Sequence, residues 1–318
     1  LTYKVAYLLM QGVNPWNILA LTFTNKAANE MKERINNIVG GNQARSIYMG
    51  TFHSIFSRIL RSEARNIGYD SNFTIYDDSD SKSLVKAIIK EFGLNDKVYK
   101  PSTVASRISM AKNHLVLPAD YAVDRNLQTR DFETHMPDMT KLYAAYCERC
   151  KRANAMDFDD LLVNTHVLFS EHPDILQKYA SNFEYILVDE YQDTNAVQQK
   201  IVSQLASVHN RVCAVGDDAQ SIYAFRGANI DNMLGFEQVF KGSHVFKLEQ
   251  NYRSTQRIVE AANSLIRHNQ RQIRKDVFSR NSEGDKIKLN MAYSDKEEAV
   301  IVCKEIKRMM KESGTQYS

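Results

Sequence analysis

The chain has 318 residues, which at about 150 residues per domain points to about two domains. Hydrophobic residues at 43% and charged residues at 25% exclude a disordered tail, a collagen and a low-complexity scaffold. No apolar run approaches the ~18 residues that cross a bilayer, and 4 cysteines, too few for a disulfide framework, fit a reducing cytosol.

Leu1 to Gln11 carry a lysine in a short apolar stretch without a small-residue cleavage site, so they do not read as a signal peptide. The first β-branched or apolar run is Ile18–Phe23, followed by helical spacing over Asn25–Ile38; Ser46–Met49 and Phe52–Ala64 repeat that order. Between about Tyr76 and Ala180 only helical patterns are expected: Ser81–Phe92, Ser102–Lys112, Met139–Lys151 and Phe158–Phe169, with Pro101, Pro118, Pro137 and Pro173 near their ends. Strand signals return at Tyr185–Val188, Arg211–Val215 and His244–Leu248, with helices at Ala196–Ala206 and Thr255–Ile266. A final strand and helix, Ile287–Met291 and Lys296–Met310, begin a pattern that cannot bury its own faces. Strands alternating with helices predict an α/β fold, a parallel sheet covered on both faces, with an all-helical insertion. The expected divisions are 1–75 and 181–280 for the two parts of the sheet domain, 76–180 for the insertion and 281–318 for a truncated second α/β domain.

The net charge of +3 is unevenly spread. Thr22–Arg65 holds seven basic residues against three acidic, and Lys241–Arg280 nine against three, so the rest of the chain is acidic. Such segregation fits either solvated helix faces or a phosphate-binding surface.

Three strand ends carry candidate chemistry. Tyr185-Ile-Leu-Val-Asp189-Glu190 ends an apolar strand in adjacent carboxylates, at the sheet edge where open α/β folds bind ligands. Mg²⁺ takes one or two carboxylates together with nucleotide phosphates, so Asp189 suits the metal and Glu190 is left to deprotonate a water. The pair also fits an acidic helix start. Gly216-Asp217-Asp218-Ala219-Gln220 ends the next strand, and Gln220 offers a donor and an acceptor together. Tyr223 and Phe225 beside Arg226 combine two base-stacking faces with a phosphate-binding fork, or are core aromatics beside a surface arginine. In Gln250-Asn-Tyr252-Arg253-Ser254-Thr, Arg253 suits a phosphoryl group, Tyr252 a base, and Ser254 a helix cap.

In this order, these segments resemble the UvrD/Rep/PcrA family of superfamily 1 DNA helicases. The strings Asp189-Glu-Tyr-Gln-Asp-Thr, Gln220-Ser-Ile-Tyr and Gln250-Asn-Tyr-Arg-Ser-Thr carry the resemblance. Thr22-Phe-Thr-Asn-Lys-Ala-Ala, Thr51-Phe-His-Ser and Met156-Asp-Phe-Asp-Asp-Leu extend it across essentially the whole chain. It implies a RecA-like P-loop NTPase motor domain whose insertion is an accessory subdomain, using ATP and Mg²⁺. Asp189 would match the Mg²⁺ ligand, Glu190 the general base, Gln220 the γ-phosphate sensor, Arg253 a γ-phosphate contact and Tyr252 the adenine stack. Thr22, Phe23 and Asn25 would match the first single-strand DNA motif and Thr51 and His53 the second. Tyr223, Phe225 and Arg226 would line the same track, with Phe225 standing where the family often has Trp. The implied activity is 3′–5′ translocation on single-stranded DNA and at single/double-strand junctions. It would serve DNA repair or replication in the cytoplasm, with unidentified repair or replication proteins as partners and no membrane.

None of the 12 glycines lies in a Gly-x-x-x-x-Gly-Lys-Ser/Thr string, and the chain begins with Leu. The expectation is therefore a fragment that begins just after the phosphate loop, stops near Ser318, and by itself hydrolyses little ATP. Two other classes stay open: a non-catalytic single-stranded DNA-binding module, and the motor part of a helicase–nuclease. Cys147-Glu-Arg-Cys150 has no second ligand pair and reads as packing. Lys82, Lys86 and Lys90 read as a solvated face.

Overall fold

The protein is described by a computed structural model covering residues 1–40, 43–314 and 316. Residues 41, 42, 315, 317 and 318, including the Ser318 end of the expected last unit, lie outside the described residues. The chain opens with α1 (Thr2–Met10), β1 (Ile18–Thr22), α2 (Asn25–Val39), β2 (Tyr48–Thr51) and α3 (Phe52–Glu63). β3 (Thr74–Tyr76) precedes α4 (Asp78–Glu91), α5 (Pro101–Asn113), α6 (Pro118–Val123), α7 (Arg125–Glu133) and α8 (Met139–Arg152). β4 (Ala155–Asp157) then leads to α9 (Phe158–Glu171), α10 (Pro173–Asn182), β5 (Tyr185–Val188), α11 (Ala196–Leu205), β6 (Val212–Ala214), α12 (Asp231–Leu234) and α13 (Phe236–Val239).

Four strands form a parallel sheet in the order β2-β1-β5-β6, with Leu19 opposite Tyr48 on one side and Ile186 on the other. Every residue of β1 is buried, and the two-residue period of a strand divides its side chains between two cores. Ile18 and Ala20 pack with Val5 and Leu8 of α1 and Met31 and Ile35 of α2. Leu19 and Leu21 pack into the other core, built on α3, α9 and α11. On α3 the buried residues Phe52, Ile55, Phe56, Ile59 and Leu60 recur at helical spacing. Fully burying side chains of this size stabilises by about 1.5–3 kcal/mol each. The α/β sheet covered on both faces is thus as the sequence predicts.

The insertion, α4 to α8, has a core of its own around Ile88, Val104, Ile108, Leu142, Tyr143 and Tyr146. It differs from the sequence expectation at its neck. β3 and β4 pair in parallel there, Thr74 with Ala155 and Tyr76 with Asp157, so the block is not entirely helical. Three-residue strands are too short to show alternation. Asp77, just after β3, and Asp157, the last residue of β4, each cap the following helix in a reciprocal box, Asp77 with Asp80 and Asp157 with Asp160. α6, α7 and α10 are additional helices; proline opens α5, α6 and α10, where its missing N–H costs nothing.

One charged cluster joins the insertion to the sheet domain. Lys112 of α5 is fully buried, and its Nζ lies 2.6 Å from Asp157 and 2.7 Å from Asp160 at the start of α9. The Tyr146 hydroxyl of α8 donates to Asp157 at 2.8 Å. Burial alone would discharge the ammonium, but the two carboxylates raise its pKa well above the ordinary lysine value. Burial works against Asp157 too, yet Lys112 holds its carboxyl below the ordinary value. Asp160 is pushed up to about 6 by burial, which with the neighbouring Asp157 charge outweighs its share of Lys112.

The chain divides into two compact units, Leu1–His244 and Val245–Ser318. The division precedes the expected 280/281 boundary because β7 (Gln250–Asn251) pairs with β8 (Phe278–Ser279), and Arg257 bonds Glu283 at 2.5 Å. This second unit also holds α14 (Gln256–Ile266) and α15 (Asp295–Ser313). The expected strands at His244–Leu248 and Ile287–Met291 are absent among the described residues. Both runs are β-branched or apolar, but no neighbouring strand takes up their backbone groups, and Leu248 and Leu289 are exposed. Among the described residues no helix is long and apolar enough to cross a membrane.

Removing the lysine leaves two buried carboxylates without a counter-charge. Lys112→Met is expected to lower the stability of Leu1–His244 by about 3–5 kcal/mol, read from the denaturant midpoint of the chain. The acid range gives a second expectation. An unfolded aspartate ionises near pH 4, whereas Asp160 retains its proton up to about 6. The folded state therefore binds the extra proton in that window, and this contribution to stability falls as pH rises from about 4 to about 6. Asp160→Asn should flatten that part of the stability–pH curve; an unaltered slope assigns it to other groups.

Candidate functional site

All four parallel strands of the sheet end on the same edge. β2 ends at Thr51, β1 at Thr22 and Phe23, β5 at Asp189 and Glu190, and β6 runs on to Gly216 and Asp217. Open sheets bind ligands at that edge because the strand ends leave backbone groups and short loops free to face a crevice. The register is fixed by the Asp189 N–H donating to Leu21 O at 3.0 Å, Val215 N–H to Val188 O at 2.9 Å, and Tyr191 N–H to Val215 O at 2.9 Å.

Asp189 is half-buried, and burial, then the Glu190 charge, raise its pKa. Glu190 is exposed and stands in the left-handed region at φ 50°, a conformation that costs a non-glycine residue of order 1 kcal/mol or more. The Gln192 amide donates to its carboxylate at 2.9 Å. Burial and Glu190 also raise the pKa of Asp193. Carboxylates gathered this closely at a strand end suit a cation. Among the described residues no group of three or more His, Cys, Asp or Glu forms a metal cage. The donor set fits Mg²⁺, which takes one or two carboxylates and draws its other ligands from phosphates and water.

Gln220, on the short helical turn after Asp217, donates to Asp217 Oδ2 at 2.7 Å. The loop continues to Tyr223 and Phe225, whose rings lie 6.0 Å apart, with the Arg226 guanidinium 5.6 and 5.5 Å from their centroids. At 68% exposure Phe225 is no core aromatic. The loop turns at Gly227, φ 89°, where a Cβ would stand 2.8 Å from Asn113 Cβ on α5. Asn113 in turn donates to Asp159 at 3.0 Å and accepts from Asn195 at 2.5 Å.

Between the sheet edge and the insertion lies a cavity of about 1300 Å³. It brings together seven of the expected residues: Phe23, His53, Glu190, Gln220, Tyr223, Phe225 and Arg226. Phe23 packs against Phe52 at 5.7 Å, and His53 meets the edge of Phe158 at 5.9 Å. Burial lowers the pKa of His53, so at neutral pH it presents an uncharged ring. Phe158, at the first turn of α9, and Ser106 and Ser109 of α5 also line the cavity and were not expected. Phe158 stood within a recognised string, while the serines gave no signal at all.

Six other expected residues do not line it, four of them in the first unit. Asp189 sits at the strand end behind Glu190, and Asn25 is exposed at the first turn of α2. The Thr22 hydroxyl is buried, donating to Thr24 O at 3.1 Å, and the Thr51 hydroxyl caps α3 by accepting from Ser54 N–H at 3.2 Å. In the second unit, Asn251 Oδ1 accepts from the backbone N–H of Arg253 at 2.9 Å and of Ser254 at 2.8 Å, and the side chains of Tyr252 and Arg253 are exposed. Ser254 does not cap α14; that position falls to Thr255, because the turn around Asn251 delays the helix by one residue. Gln192 is a further residue that sequence reasoning passed over. It lay inside a recognised string, but its bonds depend on tertiary pairing.

The family model described as UvrD/REP helicase N-terminal domain matches residues 1–241, and that of the UvrD-like helicase C-terminal domain matches residues 246–318. The chain is 44% identical over 319 residues to the ATP-dependent DNA helicase PcrA of Staphylococcus epidermidis, covering 100% of this chain and 43% of that protein. PcrA of Leuconostoc citreum is 42% identical over 321 residues, with 100% and 42% covered. PcrA of Staphylococcus aureus is 43% identical over 318 residues, again with 100% and 42% covered. The chain thus spans less than half the length of these curated relatives.

Proposed function

The chain belongs to the UvrD/Rep helicase family, and from that premise we propose that it serves an ATP-dependent DNA helicase moving 3′ to 5′ on single-stranded DNA. In this reading Leu1–His244 is the first motor domain with its accessory insertion, and Val245–Ser318 belongs to the second. One observation carries the reading. A single cavity is lined both by the carboxylate placed to activate water, Glu190, and by the aromatic side chains Phe23, Tyr223 and Phe225. A change at the phosphate end is then felt directly where bases are gripped.

Glu190 accepts the proton of a water whose oxygen forms a bond to the γ-phosphorus. The bond from that phosphorus to the bridging oxygen breaks, and its electron pair leaves with ADP. Asp189 would hold Mg²⁺, which would supply positive charge against the developing negative charge. Gln220 exchanges its bond to Asp217 for one to the γ-phosphate, and the loop it heads moves with it. Arg253 contacts the γ-phosphate and Tyr252 stacks on the adenine. Bases lie on Phe23, His53, Tyr223 and Phe225, and Arg226 reaches a phosphate. Lys82 and Arg226 line the cavity beside six carboxylates, so base faces stacked on the aromatic rings, rather than phosphate charge, carry the grip in this reading. The Thr22 and Thr51 hydroxyls shape the strand ends that hold these side chains, and Asn25, exposed at the first turn of α2, contacts the strand in this reading. Single/double-strand junctions are the natural substrates, in DNA repair or replication within the cytoplasm.

ATP turnover by the full-length protein, with and without single-stranded DNA, tests this beside Glu190→Gln. Turnover should rise with DNA and drop by about 10²–10⁴ in the variant, whereas DNA binding without any turnover would make the protein a binding module. The 318 residues alone, which hold no Gly-x-x-x-x-Gly-Lys-Ser/Thr string, serve as the comparison expected to turn over little ATP. Phe225→Ala should weaken salt-sensitive binding to an oligothymidylate by about 1–3 kcal/mol with unfolding unchanged. Unchanged affinity takes Phe225 out of the DNA path.

A further inference from the structure

Gln192 is 1% exposed, yet its carboxamide is bonded at both ends. Nε2 donates to Glu190 Oε2 at 2.9 Å, and Oε1 accepts from the Asp217 backbone N–H at 3.0 Å. A planar carboxamide supplies just this pair, a donor for a carboxylate and an acceptor for a peptide N–H. The neighbouring strand end is cut to fit it. At Gly216 a Cβ would stand 2.6 Å from Gln192 Oε1 and 3.2 Å from its backbone N, so any larger residue displaces the amide. The Ser221 hydroxyl adds a bond to Gln192 O at 3.3 Å.

The bonds run in series. Glu190, in its left-handed backbone conformation, is held by Gln192; Gln192 is held by the Asp217 backbone; and the Asp217 carboxylate accepts from Gln220 at 2.7 Å. We infer that Gln192 is a positioning residue that fixes the Glu190 carboxylate and transmits movement of the Gln220 segment to it. The inference rests on the reading of Glu190 as the water-activating base. It adds a mechanical consequence: whatever draws Gln220 off Asp217 also alters the support under the base, so water activation and phosphate sensing are not independent.

Gln192→Glu tests it, because the substitution keeps the size and the acceptor while replacing the donor by a second anion facing Glu190. In the full-length protein, kcat for DNA-stimulated ATP hydrolysis should fall at least about tenfold, with KM for ATP within about twofold, assayed below the lowered thermal midpoint that a buried second anion brings. Introduced into Glu190→Gln, the same change should cost less than about twofold, since no carboxylate remains to be held. A purely structural role would instead give the same loss in both backgrounds, and that result, or an unchanged kcat in the single variant, overturns the inference. If Gln192→Glu does not fold, Gly216→Ala displaces the amide with Gln192 intact and is held to the same expectations. A parent protein without any turnover overturns the helicase reading itself, which separates the two failures.

Discussion

The geometry of the cavity depends on a lysine without solvent. Lys112 reaches from the insertion into a pair of aspartates at the start of α9, and that contact joins α5 to α9. A buried ammonium is tolerable only while its partners are fixed, so the cluster penalises rotation of the insertion far more than an apolar seam would. Around it the neutral bonds fall into line. Asn113, the next residue on α5, ties Asp159 and Asn195 together and packs against Gly227, which turns the Tyr223–Arg226 loop. The aromatic platform is therefore supported from both sides of the cavity.

The second constraint is the parallel sheet. Because its four strands run the same way, their ends gather residues far apart in sequence onto one edge, from Phe23 to Asp217. Side-chain bonds then cross-link neighbouring strand ends: Gln192 joins the end of β5 to that of β6, and the Thr22 hydroxyl secures the end of β1. Left-handed backbone at Glu190 is strain of the kind that persists only where the surroundings over-determine it. Here those surroundings are the backbone bonds of Tyr191 and Asp193 and the amide of Gln192.

Much of the fold was legible because burial writes periodic patterns. β1 and β5 are covered on both faces and read as continuous apolar runs, while α3 shows one buried apolar stripe. Where the pattern misled, pairing was the missing term. His244–Leu248 is as β-like as β6 but has no neighbour to take its backbone groups, whereas Ala155–Asp157, unremarkable in sequence, does. α6 and α7 escaped because they are short and α7 is largely polar.

The site shows the same split. Which chemical groups stand at the strand ends is legible from residue order: the carboxylates Asp189 and Glu190, the amide Gln220, and the aromatic pair with Arg226. This holds because adjacent residues in a short string keep their order and spacing in any fold. What those groups touch depends on the packing of distant segments. That Gln192 bridges two strands and that Lys112 sits in no water follow from contacts between residues 25 to 48 positions apart. Such contacts leave no local trace, since a lysine closing a polar helix reads the same whether water or two aspartates receive it.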